Sequence, residues 1–144
     1  ADILKGVHTP GSVWDCVEKG LTAQVVQKVK AGLVTLDTRC KYGSAGKTLI
    51  HLASWWGHLD LIQTLVEMGA QISAPDTSSL TPLHYAAMTG REEAVEKLLR
   101  LGVPVDSLTC TGASPLHYAA YNGHIKTAAK LAEFGANLLL RTDE

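Results

Sequence analysis

The chain has 144 residues, with 13 Lys and Arg against 14 Asp and Glu, for a net charge of -1. This balance provides neither the basic surface that nucleic acids require nor an acidic disordered tail, and the uncharged apolar runs fall short of the ~18 residues of a membrane span. The first residues lack the apolar core of a signal peptide. Cys16, Cys40 and Cys110 are too widely spaced for a disulfide framework. We therefore expect one domain in the cytoplasm or nucleus, without membrane insertion.

A first unit is predicted at residues 12–44, where two short helices end at Gly20 and Gly32. These glycines align with Gly57 and Gly69 at an offset of 37 residues, and the same offset aligns Trp14 with His51 and Cys16 with Ala53. Trp14 and Cys16 are therefore expected to have structural roles inside the first helix. Both helices are rich in charged and amide side chains. A polar outer face is what a terminal repeat needs, so residues 12–44 are predicted to be an N-terminal capping repeat followed by a long loop.

From residue 45 onward a period of 33 residues divides the chain. His51, His84 and His117 keep this step, and so do four further columns of identical residues: Ala53, Ala86 and Ala119; Gly57, Gly90 and Gly123; Leu65, Leu98 and Leu131; and Gly69, Gly102 and Gly135. Such self-similarity is the signature of a repeat array. It predicts units at residues 45–77, 78–110 and 111–144.

Each of these units is predicted to contain two helices. Thr81 and Ser114 can cap the first helix, and Pro82 and Pro115 suit its first position. A glycine ends each helix, and the second helix has an apolar face: Ile62, Leu65 and Val66; Val95, Leu98 and Leu99; or Ala128, Leu131 and Ala132. The segments between units, such as residues 70–80, are predicted loops or hairpins. Because such short helices do not persist alone in water, the units must stack.

The last unit, residues 111–144, shows no comparable cap. Leu138, Leu139 and Leu140 have no following repeat in the sequence to cover them. We therefore expect a larger parent protein or a shortened chain, with the last helix pair loosely held. The isolated domain is expected to be monomeric.

The strongest motif begins each repeat. Residues 81–87 read TPLHYAA, residues 114–120 read SPLHYAA, and residues 48–54 give the weaker copy TLIHLAS. These runs resemble the T-P-L-H-x-A signature of ankyrin repeats, a family with the same 33-residue period. The resemblance covers roughly residues 12–144. It implies an all-α solenoid of about four stacked helix-turn-helix pairs with projecting hairpin fingers. It also implies a non-enzymatic scaffold or adaptor that binds another protein or a peptide.

The resemblance also implies a binding surface. In ankyrin repeats the finger tips and the exposed side of each first helix line a concave groove, and the positions before the helix-ending glycine vary most. In this sequence those positions are Trp55, Trp56, Met88, Thr89, Tyr121 and Asn122. Further candidates are Tyr85 and Tyr118 after the motif histidine, and Lys47, Thr77 and Leu80 in the fingers. The same argument marks Tyr42, Ser44, Ala45, Ser78, Cys110, Thr111 and Ala113.

An apolar anchor is favoured on this surface over a partner steered by charge. Aromatic residues and Met are enriched in binding hot spots, and the predicted groove carries only scattered charges. The alternative interpretation is that one Trp packs under a neighbouring finger and that Met88 fills space. That alternative is stronger for Tyr85 and Tyr118.

Other kinds of site have weaker support. Residues 43–48 read GSAGKT and resemble a phosphate-binding loop, but Lys41 stands where its first glycine belongs and no apolar strand precedes it. A repeat turn is the favoured interpretation, and nucleotide binding through Lys47 and Thr48 is the alternative. The histidines and cysteines lack zinc-ligand spacing, so no metal site is predicted. A catalytic nucleophile needs a base and an orienting group, and no such set stands out, so no catalytic residue or cofactor is predicted. The resemblance implies that the motif histidines link neighbouring units. His58 and His124, which follow helix-ending glycines, are expected to cap helices and to contact the neighbouring unit.

A further alternative concerns the protein as a whole. The chain could be the regulatory or substrate-recruiting part of a larger enzyme or membrane protein, whose chemistry lies outside these 144 residues.

Overall fold

The computed structural model describes residues 11–40 and 46–139 and contains eight α-helices in these two ranges. In chain order they are α1 Val13–Glu18, α2 Thr22–Lys30, α3 Leu49–Trp56, α4 Leu59–Glu67, α5 Pro82–Met88, α6 Glu92–Arg100, α7 Pro115–Tyr121 and α8 Ile125–Glu133. These ranges contain no β-strand. The predicted finger positions Tyr42, Ser44 and Ala45, together with Leu140, lie outside the described residues.

The helices form four pairs that stack in two layers. In the first layer α1, α3, α5 and α7 each pack on the next, and α2, α4, α6 and α8 do the same in the second layer. The apolar core lies between the layers, where Leu61, Leu65, Leu83, Leu98 and Leu131 are fully buried. The all-α solenoid implied by the family resemblance is confirmed.

Histidine completes the cap at the start of each repeat helix. At α7, Ser114 Oγ accepts from the backbone N–H of His117 at 3.3 Å, while His117 Nδ1 accepts from the Ser114 N–H at 2.9 Å. The same backbone bond to Nδ1, at 3.0 Å, joins Thr48 to His51 and Thr81 to His84. Proline fills the first position of α5 and α7, as predicted.

Two motif histidines also join neighbouring units. The Nε2 atom of His51 donates to the Leu80 carbonyl at 3.0 Å, and that of His84 donates to the Ala113 carbonyl at 3.2 Å. In both rings Nδ1 already accepts from a backbone N–H, so both are neutral with the proton on Nε2. Burial lowers the pKa of His51 and lowers that of His84 to about 4. The predicted linking role is confirmed for these two residues.

We expect stability to fall in mild acid because of these rings. With the pKa of His84 at about 4 in the fold and about 6.5 in the unfolded chain, protonation favours the unfolded chain as the pH drops between these values. His84 alone should cost about 2 kcal/mol of unfolding free energy between about pH 7 and about pH 5, and His51 should add to this loss. Urea unfolding across this range measures it. His84→Gln should weaken the pH dependence, and an unchanged slope would contradict the assignment.

The first-layer helices α3, α5 and α7 are each followed within two residues by a glycine with a left-handed backbone, with φ of 74° at Gly57, 70° at Gly90 and 74° at Gly123. At Gly90 a Cβ atom would stand 2.6 Å from Nδ1 of His124, whereas nothing lies within 4 Å of that position at Gly123. His124 Nε2 donates to the Met88 carbonyl at 3.1 Å.

His58 makes the equivalent contact one pair earlier. Its ring covers Gly20, and its Nε2 donates to the Glu18 carbonyl at 2.8 Å. His58 and His124 precede α4 and α8 but make no side-chain cap there. Their predicted role in linking repeats is therefore confirmed, and the capping role is not, because both rings point back to the previous unit.

The apolar faces predicted for α4 and α6 are confirmed, and that of α8 is confirmed only in part. In α6 four apolar residues are buried, and acidic residues in the first turn and basic residues in the last turn suit the helix dipole. In α8, Leu131 and Thr127 are buried while Ala132 is exposed. Among the described helices α8 packs chiefly on α6 and α7, and Ile125, Lys126 and Ala132 are exposed.

The fingers before α5 and α7 are short hydrogen-bonded turns. The Asp76 N–H donates to the Leu80 carbonyl at 2.8 Å, and the Thr109 N–H donates to the Ala113 carbonyl at 2.9 Å. Adjacent fingers are joined by the Cys110 N–H, which donates to the Ser78 carbonyl at 3.2 Å. The predicted hairpins are thus tight turns in the described part of the chain.

The two ends of the described array differ in burial. Trp14 and Cys16 are buried in α1, which confirms the structural role expected of them. At the other end Ile125, Leu138 and Leu139 are 81%, 70% and 86% exposed. No helix in the described ranges has the length and apolar character needed to cross a membrane.

Candidate functional site

The fingers and the first-layer helices are bonded into one surface. The motif histidines connect α3 and α5 to the finger that follows each of them, and the fingers before α5 and α7 are hydrogen bonded to each other. Equivalent residues of successive repeats therefore lie in rows, at steps of about 8–10 Å, the usual spacing of packed helices. We call this surface the finger face and define it by Lys47, Trp55, Trp56, Met88, Thr89, Tyr118, Tyr121 and Asn122.

One row of the finger face consists of large apolar side chains. Trp55, Met88 and Tyr121 occupy the same position in α3, α5 and α7, and Trp56 follows Trp55. Tyr121 is 90% exposed, and the other three are partly exposed. Large apolar side chains that stay exposed in a row are typical of surfaces that contact another molecule.

Thr89 and Asn122 hold this row together. Thr89 Oγ1 donates to the Trp55 carbonyl at 2.9 Å, and Asn122 Nδ2 donates to the Met88 carbonyl at 3.1 Å. Both side chains donate a hydrogen bond to the preceding repeat, so one donor of each is already used within the fold. Asn122 remains exposed and Thr89 partly exposed.

Tyr85 and Leu80 do not belong to the accessible surface. They are 4% and 8% exposed, so their inclusion among the contact residues needs correction. Tyr85 lies between α3 and the finger before α5. The Leu80 carbonyl, at the end of that finger, accepts from His51. Tyr118 is half-buried, with its ring 5.9 Å from that of His84, and Thr77 is exposed on its finger.

The buried Tyr85 organises a small charged and aromatic cluster. Its hydroxyl donates to Oδ2 of Asp76, and its ring centroid lies 6.0 Å from that of Trp55. The Lys47 ammonium lies 5.2 Å from the Tyr85 ring centroid and 5.6 Å from that of Trp55. Burial, followed by the bond to Asp76, raises the pKa of Tyr85. The cluster places a partly buried cation, Lys47, beside the Trp55 end of the apolar row.

Sequence reasoning missed Asp76. Its Oδ1 accepts from the N–H groups of Ser78 and Leu80 at 2.8 and 2.9 Å. Thr109 stands 33 residues later and accepts from the Ala113 N–H at 3.1 Å. An Asp or Thr at the start of a predicted turn was the available signal, because such side chains commonly bond backbone groups further along the turn.

Arg39 was missed as well. One of its guanidinium nitrogens donates to the carbonyls of Gly46 and Pro75, at 2.9 and 2.8 Å. These hydrogen bonds join the loop before α3 to the finger before α5. No periodic signal marks this residue, because it lies in the longer loop of the first unit.

The residues of the alternative phosphate loop have other roles where they are described. Thr48 precedes α3 and its Oγ1 lies 2.8 Å from His51 Nδ1, while Lys47 packs on aromatic rings. Residues 43–45 lie outside the described part of the chain. Within that part, no three His, Cys, Asp or Glu side chains gather into a potential metal site.

Comparison with known families now gives the class of protein. The family model for a single ankyrin repeat matches residues 45–77, and the model for ankyrin repeats in three copies matches residues 72–142. The chain belongs to the ankyrin repeat family. No curated protein matches it significantly.

Membership in the family bears on function at a general level. Ankyrin repeats are generally protein–protein interaction modules and are typically not enzymes. The matched residues include α3 to α8 and the described residues of the finger face. The helix pair α1 and α2 precedes them.

Proposed function

We propose that this chain binds a partner protein, or an extended peptide segment of one, across the finger face. Trp55, Trp56, Met88 and Tyr121 are the anchors of this contact. The observation that carries the proposal is the row itself, which ends in a tyrosine that is 90% exposed. Four stacked pairs provide enough length for an interface of about 800 Å² on each partner.

The proposal includes the cellular setting and the organisation of the module. All three cysteines are free, which supports a location in the cytoplasm or nucleus. Residues 12–44 serve as the N-terminal capping repeat of a monomeric scaffold or adaptor, and the residues beyond them carry the binding surface. Partner binding is its activity, and the chain itself performs no catalysis.

Site-specific cross-linking tests the proposal. The photoreactive residue p-benzoylphenylalanine is placed at Trp56 in one variant and at Ile125 in another, and each variant is irradiated in cell lysate. We expect a discrete cross-linked protein from position 56 and none from position 125, which lies on the second layer. Cross-linking of one partner from position 125 alone would contradict the proposed surface.

A further inference from the structure

The Lys47 ammonium has no anionic partner among the described residues. It lies over the rings of Trp55 and Tyr85, and no described carboxylate lies within ion-pair distance. Among the described lysines, Lys19 pairs with Asp15 and Lys130 pairs with Glu96, and Lys47 differs from the others without an ion pair because it lies over two aromatic rings. Lys47 is partly buried, so the two rings restrict where its charge can lie.

Asp76, which accepts from the hydroxyl of the Tyr85 ring under Lys47, has its carboxylate already occupied. Asp76 is 7% exposed, and its two oxygens accept from two backbone N–H groups and the Tyr85 hydroxyl. On the other side, Arg39 bonds the carbonyl of Gly46, the residue before Lys47, and is exposed. Lys47 therefore lies over Trp55, a second cation bonds the residue before it, and the carboxylate of Asp76 is already enclosed.

We propose that the partner segment carries an Asp or Glu next to its apolar anchor residue, and that Lys47 receives this carboxylate while the anchor packs on Trp55 and Trp56. The inference rests on the proposed function and names the chemistry of its partner. An ammonium over aromatic rings keeps N–H groups for a further acceptor, and a charge-assisted bond is stronger than a neutral one. Because the rings shield Lys47 from part of the solvent, its charge is screened less than that of a fully exposed lysine.

Selection from a random peptide library tests this inference with defined probes. The library is selected on the wild type, on Lys47→Glu, and on Lys126→Glu, which changes an exposed lysine of α8. We expect wild-type peptides to combine an aromatic or aliphatic residue with an adjacent Asp or Glu. Lys47→Glu should weaken their binding by about tenfold or more and should itself select Lys or Arg at the acidic position. Lys126→Glu should behave as the wild type.

Lys47→Met provides a second variant, because it removes the charge but keeps an apolar stem of similar length on the rings. It should also weaken the acidic peptides, and circular dichroism checks that each variant is folded. Peptides without acidic enrichment that still require Trp55 would overturn this inference and leave the proposed function standing. A selection that yields no peptide dependent on Trp55 would overturn both.

Discussion

Replacing both Trp55 and Trp56 by alanine is expected to lower affinity for the cross-linked partner by at least about 100-fold, or about 3 kcal/mol. The two rings are the largest side chains of the finger face, and each loses its contact area when it is truncated. Titration calorimetry with the purified partner measures the effect. The loss should appear mainly as faster dissociation, since most interface mutations act on that rate.

A matched double variant tests whether the loss of affinity is specific to the finger face or follows from removing any exposed apolar side chains. Leu33→Ala with Ile125→Ala removes two side chains that are 70% and 81% exposed, outside the finger face. This variant should bind the partner as the wild type does. Because the Trp55 ring also contacts Tyr85, the unfolding free energy of both variants is measured, and binding is compared at a temperature where both remain folded. Equal affinity of the tryptophan variant and the wild type would move the binding site elsewhere.

Gly90→Ala should lower the unfolding free energy more than Gly123→Ala, the same change one repeat later. The left-handed backbone at Gly90 costs alanine about 1–2 kcal/mol. The new Cβ would also meet the His124 ring at 2.6 Å, so the ring must move and release the Met88 carbonyl. We expect a total cost of about 3 kcal/mol in unfolding free energy, measured by urea denaturation.

Gly123→Ala is the control for this prediction. Its φ of 74° is close to the 70° of Gly90, but nothing lies within 4 Å of the new Cβ. It should therefore lower the unfolding free energy only by the cost of the left-handed backbone, about 1–2 kcal/mol. Equal destabilisation of the two variants would show that the His124 contact does not stabilise the stack.

The architecture was predictable because it repeats. Each column of identical residues indicates one local requirement, such as the cap at Ser114 or the left-handed turn at Gly90. The requirement is recognisable because it recurs in successive repeats. The first unit was predictable in part, because Trp14 could be recognised as buried once it aligned with a motif position. The prediction rested on local geometry and apolar spacing, which a sequence displays directly.

The accessible part of the site was harder to predict. Tyr85 and Tyr118 occupy equivalent positions, yet Tyr85 is buried and Tyr118 is half-buried. The difference comes from the finger before each helix, since Asp76 offers Tyr85 a charged acceptor and Thr109 takes its place one repeat later. The position of Lys47 over two rings likewise depends on side chains from neighbouring repeats. Contacts of this kind have no fixed spacing in sequence.

The three tryptophans provide the most direct measurement of where the partner binds. In the nitrogen–proton spectrum of the folded protein, each indole N–H gives its own signal, assigned by single Trp→Phe variants. Adding partner should shift the signals of Trp55 and Trp56 and leave that of Trp14, which is 9% exposed in α1, unchanged. Saturable binding without any shift of the Trp55 and Trp56 signals would contradict the finger face as the binding surface.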